Sequence, residues 1–192
     1  MKKTFMYIIV MLLVILFVAI TCKKNDNPSP LPTTPETNFS EGILLINEIV
    51  YKGSVNANEF GETEDWFEIF NPQDSSISME AGKWFVTDAS GFNNRKFALP
   101  ELNIPAGGYV IVWCDDGGMP GGNDIHATFK LSSDGEDLGL YYDDNGVDLA
   151  IDTKTFPTYP GTISEGQSLC RLPDGSDTWD FSPTPTPGSS NN

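Results

Sequence analysis

Asp65-Trp66-Phe67-Glu68-Ile69-Phe70-Asn71-Pro72 is the stretch whose reading settles the fold class. Aromatic and β-branched side chains fit a pleated, half-buried surface, so Trp66–Asn71 is expected to be a strand. Pro72 lacks an N–H and pushes Asn71 away from helical backbone, which makes Asn71-Pro72 a turn rather than a continuation. One residue is out of keeping: Glu68 sits mid-strand between Trp66, Phe67, Ile69 and Phe70, and a carboxylate in such company needs a partner.

Working outward, no stretch of ten or more residues from Ile43 onward repeats apolar residues at helical spacing. The domain is therefore expected to be all-β. Candidate strands are Ile43–Tyr51, Trp84–Thr87, Arg95–Leu99, Tyr109–Cys114, Ala127–Leu131, Leu138–Tyr142, Val147–Ile151, Ser168–Leu172 and Thr178–Phe181, besides the one around Glu68. Turn chemistry separates them: Pro105-Ala106-Gly107-Gly108, Asp134-Gly135, Asp144-Asn145-Gly146 and Pro173-Asp174-Gly175. Asn145-Gly146 is the strongest hairpin signal, because a tight primed turn needs residues that accept positive φ. Short strands at this spacing imply a sandwich or barrel.

The first 42 residues read differently. Lys2 and Lys3 precede an uncharged run, Phe5–Ile20, and then Ala19-Ile20-Thr21-Cys22, the pattern of a bacterial secretory signal ending in a lipoprotein box. Residues 1–21 are expected to be a cleaved signal peptide, with Cys22 carrying the lipid. The apolar run is shorter than the roughly 20 residues of a bilayer span, which disfavours an uncleaved anchor. Residues 22–42, with Pro28, Pro30, Pro32 and Pro35 among Asn, Ser and Thr, have too little apolar surface to fold and read as a disordered tether. Proline-rich chain rises about 3.1 Å per residue, so this one reaches on the order of 50 Å. Residues 43–192 make the folded domain. The expected location is the cell envelope: exported and lipid-anchored, at the outer membrane or cell surface.

The chain has 192 residues, 11 Lys and Arg against 27 Asp and Glu, and a net charge of −16, which becomes −18 once Lys2 and Lys3 leave with the signal. Only seven basic residues are scattered from Lys52 to Arg171, whereas phosphate backbones demand clustered cations, so nucleic acid is excluded as a default partner. Charge of this sign keeps a small exported domain dispersed. With Cys22 acylated, Cys114 and Cys170 form the one disulfide candidate in an oxidising compartment.

The order of the segments resembles the lamin tail domain, in its exported bacterial branch. The resemblance runs through Ile46-Asn47-Glu48-Ile49, the Asp65–Pro72 motif, Gly82-Lys83-Trp84-Phe85-Val86-Thr87-Asp88, and Ile104-Pro105-Ala106-Gly107-Gly108-Tyr109-Val110. It continues through Phe129-Lys130-Leu131-Ser132, Gly135-Glu136-Asp137-Leu138, Gly166-Gln167-Ser168-Leu169-Cys170-Arg171 and the closing Pro183-Thr184-Pro185-Thr186-Pro187-Gly188. Lys83, between Gly82 and Trp84, departs from the pattern. The resemblance implies an immunoglobulin-like β-sandwich that serves as an interaction module, its partner an extracellular protein or glycan, without catalytic residues.

The residues themselves offer little chemistry. A single histidine, His126, gives no nucleophilic triad, and Cys114, Cys170 and His126 lack the pair spacing of a zinc site. No catalytic residue and no metal ligand are assigned. The carboxylates of Asp115-Asp116, Asp134–Asp137, Asp143-Asp144 and Asp174, Asp177 and Asp180 lie in turn-rich stretches, where solvated loops are the simpler reading. They leave calcium as the one ligand to consider and a carbohydrate-active or metal-dependent hydrolase as the alternative function, although no EF-hand spacing is present. The positions of Trp66, Trp84, Trp113 and Trp179 discriminate: exposed aromatics favour glycan binding, an open acidic cleft favours hydrolysis. For Glu68 the expected partner is Arg171, also mid-strand, in a buried ion pair.

Overall fold

The structure, a computed structural model, describes residues 39–89, 95–117 and 124–191. The expected signal peptide and all but the last four residues of the expected tether lie outside the described residues, as does most of the loop after Cys114.

Twelve strands are described, and no helix: β1 Leu45–Val50, β2 Asp65–Phe70, β3 Ile77–Met79, β4 Trp84–Thr87, β5 Phe97–Ala98, β6 Leu102–Ile104, β7 Tyr109–Cys114, β8 Ile125–Ala127, β9 Glu136–Asp144, β10 Val147–Phe156, β11 Ser168–Arg171 and β12 Trp179–Ser182. They form a six-stranded sheet in the order β12-β11-β1-β2-β7-β8, a four-stranded sheet β10-β9-β4-β5 and a small ribbon β3-β6. All pairings are antiparallel except β7 with β8. The sheets bury Ile46, Ile49, Phe67, Ile69, Val112 and Leu169 from one against Trp84, Val86, Leu138, Leu140 and Ile151 from the other. Full burial of one such side chain is worth about 1.5–3 kcal/mol, and the alternation within each strand decides which residues contribute.

The all-β expectation holds, with boundary differences that have physical causes. The ribbon β3-β6 was not expected: each strand has three residues, too few to show a period, and each finds its only ladder in the other. Strand β8 begins at Ile125, so it meets the expected Ala127–Leu131 only at Ala127. Hairpin β9–β10 runs on to Phe156 because its edge strand alternates polar residues outward, and its turn has Asn145 at φ 53° and Gly146 at φ 93°, as a primed turn requires. Asn71 ends β2 by stapling the neighbouring turn: its Nδ2 donates to the carbonyls of Ser75, Ile104 and Pro105 at 2.9, 3.0 and 2.9 Å.

Two bulges interrupt the ladders, at Asn47 in β1 and between Ala150 and Asp152 in β10. A bulge leaves backbone groups unpaired and re-aims a side chain. The second turns Asp152 inward, beside Arg171.

Candidate functional site

Arg171 uses its whole guanidinium in that interior position. Its Nη2 meets Asp152 Oδ2 at 3.0 Å, Nε donates to the Ile46 carbonyl at 2.8 Å, and Nη1 donates to the Ser176 carbonyl at 2.7 Å. Asp152 Oδ2 in turn accepts from the Ile46 amide at 2.7 Å, so the ion pair satisfies both backbone groups of Ile46. Burial pushes the Asp152 carboxyl up, against the pull of Arg171.

The expected Glu68–Arg171 pair is therefore corrected. Glu48 is the register partner of Glu68 on one side and of Cys170 on the other, so these three share one face of the six-stranded sheet. Arg171 follows Cys170 and, by the period of two, points through the opposite face into the core. Strand β1 also lies between the two residues.

The outer face holds Glu48, Glu68 and Asp174 together, and the C-terminal segment Pro183–Asn191 crosses it. Glu68 accepts from Asn47 Nδ2 at 3.0 Å and from the Gly188 amide at 2.8 Å. The Thr186 amide donates to Glu48 Oε2 at 3.1 Å, and Asn191 donates through its own amide to Asp174 at 3.0 Å. Asp174 also accepts from Asn47 Nδ2 at 2.9 Å and from the Tyr109 hydroxyl at 2.7 Å. Among the described residues, no Lys, Arg or His is ion-paired to any of the three.

Such a row cannot carry three full charges cheaply. Burial, reinforced by the charges of Glu48 and Asp174, pushes Glu68 up to about 8 despite the Asn47 and Gly188 hydrogen bonds. Burial also raises Glu48. For Asp174, hydrogen bonds from Asn47, Asn191 and Tyr109 outweigh burial and hold the carboxyl below its ordinary value. Carboxyls driven apart in this way are what acid–base chemistry needs, yet Glu48 and Glu68 are each 0% exposed and nothing can reach them past the segment above.

A second cluster lies at one pole. His126, buried in β8, has Nδ1 at 2.5 Å from Asp115 and Nε2 at 3.2 Å from Glu59, and the Asp124 amide donates to Glu59 at 3.1 Å. Burial lowers the imidazole, but the two carboxylates outweigh it and leave His126 above its ordinary value. Among the described residues, no nucleophile stands with this cluster. The Phe60 ring lies beside His126, at 5.6 Å between centroids. Among the described residues, no group of three or more His, Cys, Asp and Glu side chains is placed to hold a metal ion.

Cys114 and Cys170 are both free and buried, which corrects the disulfide candidate. Cys114 belongs to the interior cluster with Phe67 and Val112, whereas Cys170 shares the outer face with Glu48, and two strands of the sheet lie between the cysteines. Burial pushes both thiols up, Cys170 to about 12. Trp66, Trp84 and Trp113 are buried, and the half-buried Trp179 is stacked under Lys154 at 4.2 Å and Arg171 at 4.9 Å. None of the four forms an exposed aromatic platform.

Sequence reasoning named Glu68 and Arg171 but missed the partners of both. Asp152 lay hidden because it appears on a strand that alternates outward until the bulge turns it in. The closing Pro183–Gly188 motif was visible, but its contact with Glu48 and Glu68, some 120 to 138 residues away, leaves no local trace. No curated protein matches the chain. The family model described as Lamin Tail Domain matches residues 37–157, which takes in β1 to β10, and β11 and β12 complete the same sheet. With two packed sheets, no helix among the described residues and a family match over more than half its length, the chain belongs to the lamin tail domain family, whose fold is immunoglobulin-like.

Proposed function

We propose that this protein is a lipid-anchored binding or scaffolding module of the cell envelope, without catalytic activity, that meets its partner at the pole opposite the one where the chain enters the sandwich. The observation that carries this reading is polarity. The chain enters the sandwich where Phe39 packs on Trp84 and Tyr142, each at 4.8 Å between centroids, and β1 runs from there to the loop of residues 51–64. That loop carries the exposed Val55 and Phe60, at 68% and 43% exposure, and Glu59 of the His126 cluster. The pole opposite that entry is the one offered to an extracellular protein or glycan, and a fold-level analogy alone names neither.

The hydrolase alternative draws no support from the sealed Glu48–Glu68 pair, nor a glycan platform from the tryptophans. Mass spectrometry and fractionation test the anchor: the mature chain should begin at a lipid-modified Cys22, and Cys22→Ser should leave the membrane fraction. Pull-down from envelope extracts, with and without chelator, tests recognition. Wild type should retain a partner that a Val55→Asp, Phe60→Asp double variant loses; equal retention by both would reject the distal pole as the binding end.

A further inference from the structure

We propose that the C-terminal segment Pro183–Asn191 is a proton-linked latch, closed over Glu48 and Glu68 while the pair keeps a proton and released when that proton is lost to water. The geometry supplies both halves of the device. The segment adds no strand to the sheet; it is fastened by the Thr186 and Gly188 amides to the two carboxyls, and by Asn191 to Asp174, the Asn47 carbonyl and the Arg171 carbonyl. Beneath it, Glu48 and Glu68 stand side by side in register with no exposed surface.

The titratable groups facing this pair are acids or neutral. Asp174 approaches from the loop after β11, Tyr109 from β7, Cys170 from β11 and Asp180 from β12, and the described part of the segment itself bears no charge. Among the described residues no cation is ion-paired to the pair, so a proton is what neutralises it while the segment is down. Once the segment lifts, both carboxyls are hydrated and ionise near their ordinary values. Opening therefore releases a proton, and its equilibrium constant rises by up to about tenfold per pH unit between the open-state and closed-state pKa values. Glu68, at about 8 when covered, sets the upper bound of that window. The released state presents a row of carboxylates and frees a segment rich in proline, which gives the domain two surfaces that the closed state lacks.

Amide hydrogen exchange on the full mature chain tests the latch, with rates corrected for base catalysis at each pH. The protection of Thr186 and Gly188 should fall between pH 5.5 and 7.5 and stay at least tenfold below that of core amides such as Leu140. Glu68→Gln should flatten the pH dependence of the segment. If that variant fails to fold, Glu48→Gln serves, since removing the neighbouring charge should shrink the fall. Protection that is independent of pH in wild type, or segment amides that exchange only together with the core, would overturn the proposal.

Discussion

Glu48 and Glu68 face each other directly across the β1–β2 ladder, both without exposed surface and neither paired to a cation among the described residues. Like charges opposite one another destabilise a sheet, and burial multiplies that cost. Strands β1 and β2 thus each contribute one carboxyl to a row that holds together by shared hydrogen bonds and incomplete ionisation.

This row makes stability depend on pH in a direction opposite to that of most carboxylates. Glu68 is raised from 4.5 to about 8 by burial, so the folded state binds its proton more tightly than the unfolded chain does. The contribution is fully present below about 4.5 and is lost as pH rises through about 8. The denaturant midpoint should be clearly lower at pH 8.5 than at pH 5.5, by an amount equivalent to a few kcal/mol. Glu68→Gln, which keeps the shape and stays neutral, should remove most of the slope; a slope unchanged in that variant would contradict the assignment.

The Asp152–Arg171 pair should behave as a buried one. Arg171→Ala leaves Asp152 without its countercharge and the Ile46 carbonyl without its donor in the core, and losing one partner of such a pair typically costs ~3–5 kcal/mol. Arg171→Lys should recover only part, because an ammonium cannot reach Asp152, Ile46 and Ser176 together. Equilibrium unfolding in urea measures both, and a loss under about 1 kcal/mol for the alanine variant would mean the pair is solvated.

His126 also makes stability fall as pH rises, for a different reason. Asp115 and Glu59 raise it above 6.5 in the fold despite its burial, so the stability it adds is complete below 6.5 and disappears as pH rises through the folded value. An NMR titration of the imidazole should give a midpoint above 6.5. A midpoint below that, with the ring neutral at pH 6, would show that burial dominates the two carboxylates.

The two thiols should be silent in the folded protein. Cys114 and Cys170 are buried with raised pKa values, and thiolate is the reactive form, so both should label slowly until unfolding exposes them. Two free thiols beyond Cys22 are expected without reductant, and reductant should leave the melting temperature unchanged. Absence of free thiol in the denatured chain would restore the disulfide.

Gly135 tests the backbone of the loop before β9. It has φ 86°, and a Cβ there would lie 2.6 Å from the Pro157 backbone and 2.7 Å from that of Phe156, neither of which can yield as a side-chain tip can. Gly135→Ala should therefore cost about 1–3 kcal/mol or more, read as a drop in melting temperature. Gly146→Ala, with φ 93° but nothing within 4 Å, should cost less.

What the sequence alone determined is local or periodic in origin. The alternation around Trp66–Phe70, the Asn145-Gly146 turn and the absence of a helical period specify an all-β chain, because pleat and turn geometry act over a few residues. The mid-strand charges Glu68 and Arg171 were legible as anomalies for the same reason. Their partners were not. Which face a charge meets depends on strand order and on single-residue bulges, and one bulge reverses the inside and outside of everything after it. Only the tertiary structure set β1 between β2 and β11, turned Asp152 inward to Arg171, and brought Thr186 and Gly188 over Glu48 and Glu68, since these contacts join residues far apart in the chain and are held by burial, which no short window of sequence contains.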